Sequence, residues 1–566
     1  MPETPSDSAS DAEIARSVTP TPIDDIAATL GIGPDGFERY GDHVAKLSAS
    51  FLREADGSAN GNLILVTGMT PTPRGEGKTV TTVGLGQALA ALGERASIAV
   101  REPSLGPVFG VKGGAAGGGH SQLLPMERIN LHFTGDIHAI TAAHNLLAAA
   151  VDAHVHHGNE LDIDVRSNVW SRALDTNDRA LRNVVLGLGG PENGVPREGS
   201  FEITAASELM AVVCLATDYA DLRERVARIV VASDRTGDPV TAGDVGVEGA
   251  VAALLRDALR PNLVGSIEGV PAFVHGGPFA NIAHGTNTAV ADRIGLDRSD
   301  FLVTEAGFSS ELGAEKFVDI VTRETGIAPD VAVLVVSVRA LKRHGLSMWP
   351  VDEERLADPD VDAVLDGLDN AVHHVSVLER LGLPAVVAIN RFPGDTDEEI
   401  EAIEAALTDR NVPVAESTVH RDGGDGGIEL ARLTREAIDD ASKATPLYPS
   451  SASIREKIET VATGLYGADG VEYTEAAADD VERIERRGCD DLPVCLSKTP
   501  YSLSDDPSRT GVPTGWTLTV RSIDVAAGAG FLVALTGDVL RMPGLPAEPA
   551  ANNIDLESDG TISGLF

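Results

Sequence analysis

Short runs of apolar residues alternate with longer stretches that repeat apolar positions at helical spacing along most of this chain. The clearest example is Asn62–Thr67, an apolar run that ends in a Gly- and Pro-rich loop and is followed by a small-residue helical stretch at Val80–Leu92. Further predicted strands are Ala96–Val100, Ile229–Ala232, Val331–Val338 and Ala385–Ile389, and Glu311–Val321 is a predicted helix between them. Strands that alternate with helices predict a mostly parallel α/β sheet flanked by helices, with ligand sites beyond the carboxyl ends of the strands.

The composition of the chain changes near Leu447. The segment Tyr448–Ser451 has a linker-like composition, and the remainder is rich in Gly, Pro and Asp. A length of 566 residues is enough for about two to four globular domains. We therefore predict a domain boundary between residues 446 and 447.

The sequence is strongly acidic. Its formal net charge is -41, and only eight of its 45 basic residues are Lys. Such a charge balance disfavours nucleic acid or an anionic membrane as a partner and favours a solvated acidic surface. We predict adaptation to a salt-rich cytosol, because salt screens the repulsion between like charges.

No apolar run approaches the roughly 20 residues that a membrane-spanning helix needs. The first residues are acidic and rich in Ser and Pro rather than basic and apolar. The three cysteines Cys214, Cys489 and Cys495 lack metal-type spacing and are odd in number, which disfavours a zinc site or a disulfide framework. We therefore expect a cytoplasmic protein with reduced thiols.

A phosphate-binding loop is predicted between the first strand and the first helix. Its residues, in order, are Thr70, Pro71, Thr72, Pro73, Arg74, Gly75, Glu76, Gly77, Lys78 and Thr79. Glycines let backbone N–H groups approach an anion, Lys78 reaches terminal phosphates, and Thr79 is a candidate Mg²⁺ ligand. The strict P-loop pattern has Gly where Thr72 stands, and a chance Gly-Lys-Thr in a loop is the alternative interpretation.

A second interpretation of the loop is a partitioning-type or electron-donating ATPase, which works by nucleotide-dependent dimerisation. The additional lysine of that class, five residues before the loop lysine, would fall at Pro73. The sequence therefore disfavours this alternative.

Residues that are candidates for binding a carboxylate or an acyl phosphate follow the second strand. Arg101 stands at the strand end, and a glycine-rich run extends from Gly106 to His120. So many glycines cost backbone entropy on folding, which indicates close approach of the backbone to a ligand. The planar guanidinium of Arg101 suits a carboxylate or an acyl phosphate, with a structural ion pair as the alternative. Asp136 is a candidate for orienting a substrate or accepting a proton, or else a turn residue.

Taken in this order, these segments resemble the formate–tetrahydrofolate ligases, also called formyltetrahydrofolate synthetases. The resemblance extends from about Ile23 to Phe566 and includes the loop together with Arg101–Gly119, Leu131–Asn145, Gly276–His284, Val303–Phe317, Arg339–Lys342, Ile389–Pro393, Gly423–Leu430, Tyr501–Pro507 and Ala527–Leu545. It implies ATP-dependent ligation of formate to tetrahydrofolate through formyl phosphate, giving 10-formyltetrahydrofolate, ADP and phosphate in one-carbon metabolism. It also implies MgATP as co-substrate, three α/β domains and a homotetramer.

The resemblance also implies roles for individual residues. Lys78 would bind the ATP phosphates, Arg101 would hold formyl phosphate, and Asp136 would lie beside the reacting folate amine. Phe392 matches the folate-stacking Phe of the family, and Phe308 would line the same pocket.

One position departs from the family pattern. His420 stands where these ligases usually have Trp before a glycine-rich segment. An imidazole still stacks on a pterin, but it offers less area and gains a charge below about pH 6.5. A solvent-facing loop residue is the alternative interpretation of His420.

The expected organisation is a P-loop-type domain with two further smaller α/β domains. Residues 1–300 would bind the nucleotide and formyl phosphate, residues 301–446 would contribute the folate pocket, and residues 447–566 would form the C-terminal domain.

Overall fold

The fold is described from a computed structural model. It describes residues 9–54, 60–111, 116–167, 169–438, 444–537 and 539–565. Residues 112–115 of the predicted glycine-rich run therefore lie outside the described residues.

Helices and strands alternate along the described parts of the chain. The α-helices are α1 (Asp11–Ser17), α2 (Ile23–Thr29), α3 (Phe51–Glu54), α4 (Lys78–Ala91), α5 (Leu105–Phe109), α6 (Met126–Asn130), α7 (Asp136–His156), α8 (Glu208–Leu215), α9 (Tyr219–Arg228), α10 (Ala242–Val245), α11 (Glu248–Leu254), α12 (Ala289–Arg298), α13 (Arg323–Thr325), α14 (Val338–Gly345), α15 (Glu353–Ala357), α16 (Val361–Arg380), α17 (Asp397–Thr408), α18 (Val419–Asp422), α19 (Ile428–Ala437), α20 (Ile454–Val461) and α21 (Glu475–Arg486). Short 3-10 turns occur at Pro34–Gly36, Arg179–Leu181, Pro191–Asn193, Thr204–Ala206, Gly423–Gly427 and Ala550–Asn552, and π-helical turns at Ser310–Ala314, Phe317–Thr322 and Ala462–Tyr466.

The strands are β1 (Phe37–Arg39), β2 (Ala45–Leu47), β3 (Asn62–Gly68), β4 (Ala96–Val100), β5 (Gly117–Gly118), β6 (Ser121–Leu124), β7 (Arg172–Ala173), β8 (Val184–Leu186), β9 (Arg197–Gly199), β10 (Phe201–Glu202), β11 (Val230–Ser233), β12 (Pro239–Thr241), β13 (Asn262–Ser266), β14 (Pro271–Val274), β15 (Phe301–Glu305), β16 (Val331–Val336), β17 (Ala385–Asn390), β18 (Val414–Ser417), β19 (Gly470–Tyr473), β20 (Val494–Ser497), β21 (Thr517–Val520), β22 (Ser522–Ala526), β23 (Phe531–Leu535), β24 (Asp555–Leu556) and β25 (Ile562–Ser563).

A large central sheet organises the molecule. Its strand order is β1-β2-β13-β14-β4-β15-β3-β16-β17-β18, with β6 paired to β13 and β5 to β6. From β14 to β18 all pairings are parallel, whereas the pairings of β1, β2 and β13 are antiparallel. The predicted mostly parallel sheet flanked by helices is confirmed.

The parallel strands are buried on both faces. All residues of β4, β15 and β16 are buried, as are the six residues that follow Asn62 in β3. Apolar runs without alternation are typical of parallel strands that helices cover on both sides. The carboxyl ends of β4, β15, β3, β16 and β17 therefore lie side by side along one edge of the sheet.

Helix α4 packs closely on this sheet through small residues. A Cβ added at Gly84 would lie 2.3 Å from Cβ of Val419, and one added at Gly86 would lie 2.5 Å from Cγ1 of Ile98. Both glycines therefore allow α4 to approach its neighbours closely. This packing fixes the position of the N-terminus of α4 at the sheet edge.

Two details differ from the sequence prediction. The strand expected at Ile229–Ala232 forms as β11, but it pairs with β12 outside the central sheet. The helix expected at Glu311–Val321 forms largely as π-helical turns, a rare geometry that is frequent at functional sites.

Three small sheets of the described residues lie in the C-terminal part of the chain. β20, β23 and β22 form the first, β19 and β21 the second, and β24 and β25 the third. The ammonium of Lys498 contacts Oε1 of Glu311 at 3.0 Å with both side chains fully buried, which anchors this part to the preceding residues. The predicted boundaries at 300/301 and 446/447 stay predictions, and the central sheet has strands on both sides of residue 300. None of the helices within the described ranges is both long and apolar enough to span a membrane.

Candidate active site

The 70–79 loop turns from the end of β3 into the start of α4. Gly75 and Gly77 have φ angles of +81° and +80°, in the left-handed region that favours glycine. A Cβ added at Gly77 would lie 2.2 Å from Nδ2 of Asn390. Oε1 of Glu76 accepts a hydrogen bond from the N–H of Thr72 at 2.6 Å, and the Glu76 carbonyl accepts one from Asn390 at 3.0 Å. The loop is therefore held in one shape.

The end of this loop is a suitable place for an anion. Helix α4 begins at Lys78 and has 14 residues, so its first N–H groups lack helical carbonyl partners and carry the positive end of the helix dipole. Thr70, Pro71 and Thr72 are buried, Pro73 is half-buried, and Arg74 is exposed. Arg74 contacts Glu353 at 3.4 Å on the surface, away from the loop interior.

Glu305, the last residue of β15, connects the loop to Arg101. Its Oε2 accepts a hydrogen bond from the hydroxyl of Thr79 at 2.8 Å, and its Oε1 accepts one from Nη2 of Arg101 at 3.2 Å. The side chain of Glu305 is 2% exposed and that of Arg101 is 24% exposed. Arg101 thus forms the ion pair of the alternative interpretation, and it does so beside the loop rather than away from it.

Lys78 and Phe308 meet at the end of β3. A Cβ added at Gly68 would lie 3.4 Å from the carbonyl oxygen of Phe308 and 3.7 Å from Nζ of Lys78. Phe308 has a φ angle of +60°, which is unusual for a residue with a side chain. Such strain persists only where surrounding contacts enforce it, and it is common at functional sites.

Phe392 follows β17 and packs under a guanidinium. The Cζ atom of Arg339 lies 4.0 Å from the centroid of the Phe392 ring, and Nε of Arg339 contacts Oε2 of Glu76 at 3.3 Å. The ring is therefore linked to the loop through one side chain. β15 and β17 are three strand spacings apart, about 14 Å. A pocket shared by Phe308 and Phe392 stays a prediction.

Asp136 is the first residue of α7 and belongs to a buried ion pair. Nζ of Lys46 contacts its two carboxylate oxygens at 2.8 and 2.9 Å, and Nδ2 of Asn262 donates to Oδ2 at 2.8 Å. Nε2 of His275 lies 3.9 Å from Oδ2, and burial lowers the pKa of His275 to about 4. The imidazole is therefore neutral at neutral pH, and Asp136 begins a helix rather than forming a turn.

Glu102, directly after Arg101, is a buried acid beside this ion pair. Burial raises the pKa of Glu102 well above its ordinary value, the charge of Asp136 adds to this effect, and Lys46 opposes it. Within the described residues its Oε2 has no hydrogen-bond partner. The surroundings of Glu102 therefore favour its protonated form, which is suited to carrying a proton.

Sequence reasoning missed Glu305, Glu102 and Lys46. A signal existed for the two acids, because Glu305 ends an apolar strand and Glu102 comes two residues after another, at the edge where sites lie. Lys46 belongs to the short strand β2, which lies next to the edge strand β1, and its pairing with Asp136 spans 90 residues of sequence.

His420 lies in α18, the short helix that follows β18. Its Nε2 contacts Oδ1 of Asp11 at 3.5 Å, and its carbonyl accepts a hydrogen bond from the N–H of His120 at 2.8 Å. The adjacent Val419 packs on Gly84, which is six residues, or about 9 Å, along α4 from Lys78. The His420 side chain is 48% exposed.

Oxygen ligands for a divalent cation are available at the end of the loop. The hydroxyl of Thr79 and the carboxylate of Glu305 are 2.8 Å apart. Mg²⁺ prefers such hard oxygen atoms and is usually held by one or two protein groups together with substrate phosphates and water. Across the described ranges, the structure contains no group of three or more His, Cys, Asp or Glu residues that could hold a metal by themselves. The pair therefore fits a cation that arrives with a nucleotide.

A cavity of about 910 Å³ lies elsewhere, between the 169–239 region and the C-terminal sheets. It is lined by Trp170, Glu202, Glu208 and Arg541 among others, and by none of the residues predicted for the site. The sheet edge is the better candidate for the active site, because the loop, Arg101 and the buried acid Glu102 converge there.

Comparisons with known proteins agree with this chemistry. The family model described as Formate–tetrahydrofolate ligase matches residues 9–566. A formate–tetrahydrofolate ligase from Haloquadratum walsbyi is 57% identical over 562 residues, 98% of this chain and 97% of the relative. One from Haloarcula marismortui is 56% identical and covers 96% of this chain and 100% of the relative, and one from Symbiobacterium thermophilum is 52% identical with 98% and 100% coverage.

Proposed function

We propose, because this chain belongs to the formate–tetrahydrofolate ligase family, that it joins formate to tetrahydrofolate with conversion of ATP to ADP and phosphate. The product is 10-formyltetrahydrofolate. The observation that carries the proposal is the position of Glu305, which contacts both the end of the nucleotide loop and Arg101. A nucleotide and a small anion bound at these two groups would lie next to each other.

The first step forms formyl phosphate. A formate oxygen attacks the terminal phosphorus of ATP, an O–P bond forms, and the bond to ADP breaks. Both reactants are anions, so Lys78 and Arg101 are proposed to offset their charge and to align them. The helix N-terminus of α4 stabilises the phosphates further.

Magnesium would be held by Thr79 and Glu305. When bound with ATP, it would supply positive charge to the phosphate oxygens. The hydroxyl of Thr79 contributes to nucleotide binding, and the Glu305 carboxylate keeps Arg101 oriented.

The second step transfers the formyl group to the folate amine. The nitrogen attacks the formyl carbon, a C–N bond forms, and the C–O bond to phosphate breaks. The amine proton must leave, and the sequence predicts Asp136 as the base. Because Lys46 and Asn262 already donate to the oxygens of Asp136, Glu102, whose pKa burial raises, is proposed to give its own proton to the departing phosphate and to take up the amine proton in its place.

The folate pocket is proposed at Phe392 and Phe308. An aromatic face offers a stacking surface to a pterin. The contacts of His420 with Asp11 and His120 favour a structural role for its loop, so a folate contact of His420 rests on sequence resemblance alone.

We also propose that the enzyme is a cytoplasmic homotetramer of one-carbon metabolism. The support is the full-length match to the family. The acidic composition and the relatives from halophiles support a salt-rich cytosol.

One assay tests the function against the ATPase alternative, which the comparisons do not support. ATP, formate and tetrahydrofolate are mixed in molar KCl, ADP release is followed, and 10-formyltetrahydrofolate is measured by absorbance after conversion in acid. ADP release and product that require all three substrates are expected. ADP release with ATP alone, without formylated product, would contradict the proposal and favour a nucleotide-dependent ATPase.

A further inference from the structure

The stem of the nucleotide loop is held by side chains from distant helices. Thr70 is fully buried, and its N–H donates to Nε2 of His374 at 2.9 Å. Its carbonyl accepts a hydrogen bond from Nε2 of His344 at 3.1 Å, and its hydroxyl contacts Nε2 of His374 at 2.9 Å and Nδ2 of Asn370 at 3.2 Å. His344 lies on α14, and Asn370 and His374 lie on α16. We call these three side chains the loop clamp.

The partners fix the proton on each imidazole. A backbone N–H only donates, so Nε2 of His374 carries a lone pair and its proton lies on Nδ1, which is 2.8 Å from Oγ of Ser310. A carbonyl only accepts, so His344 carries its proton on Nε2. Burial lowers the pKa of His374 to about 4 and that of His344 to about 3, so both rings are neutral when the enzyme works. The two rings therefore bind the loop as opposite tautomers.

The loop clamp also holds the Tyr501–Gly511 segment of the C-terminal part. Nδ1 of His344 accepts a hydrogen bond from the N–H of Gly511 at 2.9 Å, and Nδ2 of Asn370 donates to the Gly511 carbonyl at 2.8 Å. Arg343 makes a parallel link, because it donates to the Pro71 carbonyl at 3.1 Å and to the Tyr501 carbonyl at 2.6 Å. The loop stem and this segment are therefore tied to the same side chains.

These contacts leave the phosphate-facing end of the loop separate from its stem. The N–H of Thr70 is occupied by His374 and does not serve a phosphate, whereas the N–H groups at Gly77–Thr79 open the helix. The far end of the loop is tied independently, through the bond between Asn390 and Glu76. Loss of the hydrogen bonds to Thr70 would therefore let the loop shift relative to the start of α4, while the rest of the site stays in place.

We propose that His374 is a positioning residue for ATP, which fixes the stem of the nucleotide loop through Thr70 as part of the loop clamp. His374 touches neither of the proposed reacting centres and acts through the loop backbone. The inference rests on the proposed ATP-dependent function, because it assigns the nucleotide to this loop. It predicts that ATP affinity depends on a hydrogen-bond acceptor at the position of Nε2.

The test compares His374→Leu with His374→Gln. The amide oxygen of Gln reaches the position of Nε2 and accepts the bond from Thr70, whereas Leu fills the space without an acceptor. ATP affinity is measured by calorimetry, and KM is measured for all three substrates. We expect His374→Leu to weaken ATP binding at least tenfold with KM for formate and tetrahydrofolate within about threefold, and His374→Gln to restore ATP affinity to within about threefold.

The neighbouring His373 provides the matched control. It lies on the same helix, but its Nε2 contacts the Leu465 carbonyl at 2.7 Å. His373→Leu should leave ATP affinity unchanged. If His374→Leu does not fold, His344→Asn replaces it, because Asn keeps an acceptor for Gly511 and loses the donor to Thr70, and the same tenfold loss of ATP affinity is expected.

The outcomes separate the inference from the proposed function. Wild-type protein that does not bind ATP contradicts the function itself. Wild-type protein that binds ATP, together with a folded His374→Leu or His344→Asn variant of unchanged ATP affinity, overturns the inference alone. Equal losses of ATP affinity in His374→Leu and His374→Gln also overturn the inference, and so do equal increases of KM for all three substrates. In either case the effect would follow from altered packing.

Discussion

At the scale of single residues, the site depends on pairs that lie far apart in sequence. The carboxylate of Glu305 accepts hydrogen bonds from Thr79, which is 226 residues away in the sequence, and from Arg101, which is 204 residues away. Each contact alone is an ordinary hydrogen bond or ion pair. Together they set the spacing between the nucleotide loop and the proposed formyl phosphate site.

Replacing Arg101 tests its proposed role. Arg101→Ala should lower turnover at least tenfold, about 1.4 kcal/mol of barrier, while the dissociation constant of ATP stays within about threefold. Arg101→Lys should recover little activity, because an ammonium lacks the planar fork. Steady-state kinetics and calorimetry provide the two measurements.

Arg95 is the matched control, since it lies before the other end of β4 and pairs with Asp300 on the surface. Arg95→Ala should retain wild-type turnover. Full activity of Arg101→Ala would remove this residue from the mechanism.

Replacing Phe392 tests the folate site. Phe392→Ala should weaken tetrahydrofolate binding by about 1 to 3 kcal/mol, the scale of a lost stacked ring. Phe392→Tyr keeps the ring and should bind folate like the wild type. Titration of intrinsic fluorescence measures both affinities. Because Arg339 lies between this ring and Glu76, an equal loss of ATP affinity would assign Phe392 to the loop instead of the folate site.

At the scale of elements, the junction of β3, the loop and α4 would determine where the proposed nucleotide binds. The helix start is set by Gly77, whose left-handed φ no L-residue adopts cheaply. Gly84 and Gly86 then seat the helix on its neighbours. The glycines of this segment therefore serve two different purposes, backbone conformation at its start and close packing along its length.

Gly77→Ala should reduce ATP affinity at least tenfold, because the added methyl group would meet Asn390 and displace the helix start. Gly93 offers a matched control just beyond the other end of α4. It has a φ angle of +88° and nothing within 4 Å of an added Cβ. Gly93→Ala should lower the melting temperature through strain alone and leave ATP affinity unchanged, and equal ATP affinities for the two variants would contradict this explanation.

At the scale of the whole molecule, the important property is the distribution of charged side chains between the interior and the surface. Of the Lys residues that the structure describes, Lys46, Lys316, Lys342, Lys457 and Lys498 are buried and Lys78 is half-buried. The exposed positive charge on the described surface is therefore carried by Arg, within a net charge of -41.

The melting temperature should rise with KCl. Between 0.1 and 2 M we expect an increase of about 5 °C or more, because screening reduces the repulsion between surface carboxylates. Differential scanning fluorimetry measures it, with a non-ionic osmolyte at matched osmolality as the control. A melting temperature that does not respond to KCl, or that responds equally to the osmolyte, would reject salt adaptation.

The buried acid Glu202 predicts how stability varies with pH. Burial raises the pKa of Glu202 from 4.5 to about 7, so between these values the folded state keeps a proton that the unfolded state loses. The contribution of Glu202 to the free energy of unfolding therefore falls as pH rises through that window. The full destabilisation by the buried charge is present above about pH 7. Glu202→Gln, a neutral mimic, should be more stable than the wild type by about 1 to 3 kcal/mol at pH 8 and similar at pH 4.5.

Urea unfolding at the two pH values measures this difference. Glu198→Gln, at the exposed position of β9, is the control and should change stability little at either pH. A Glu202→Gln variant that is less stable than the wild type at pH 8 would contradict a raised pKa of Glu202 in the folded state.

Local patterns in the sequence were sufficient to predict individual strands and helices. Asn62–Thr67, Ala96–Val100 and Ala385–Ile389 form strands of the sheet, and the helix after the loop begins at Lys78. Such features depend on neighbours within a few positions, which the sequence displays directly. The family resemblance depends likewise on ordered local motifs.

The tertiary structure decided which of these motifs meet. The order β4-β15-β3-β16-β17 places Glu305 between Arg101 and Thr79, and it brings His374 to Thr70 across 304 residues. Burial then raises the pKa of Glu102, whereas Asp136 is paired with Lys46. A linear pattern specifies neither the order of parallel strands, which is set by crossover connections, nor the burial of a charged side chain, which is set by everything packed around it.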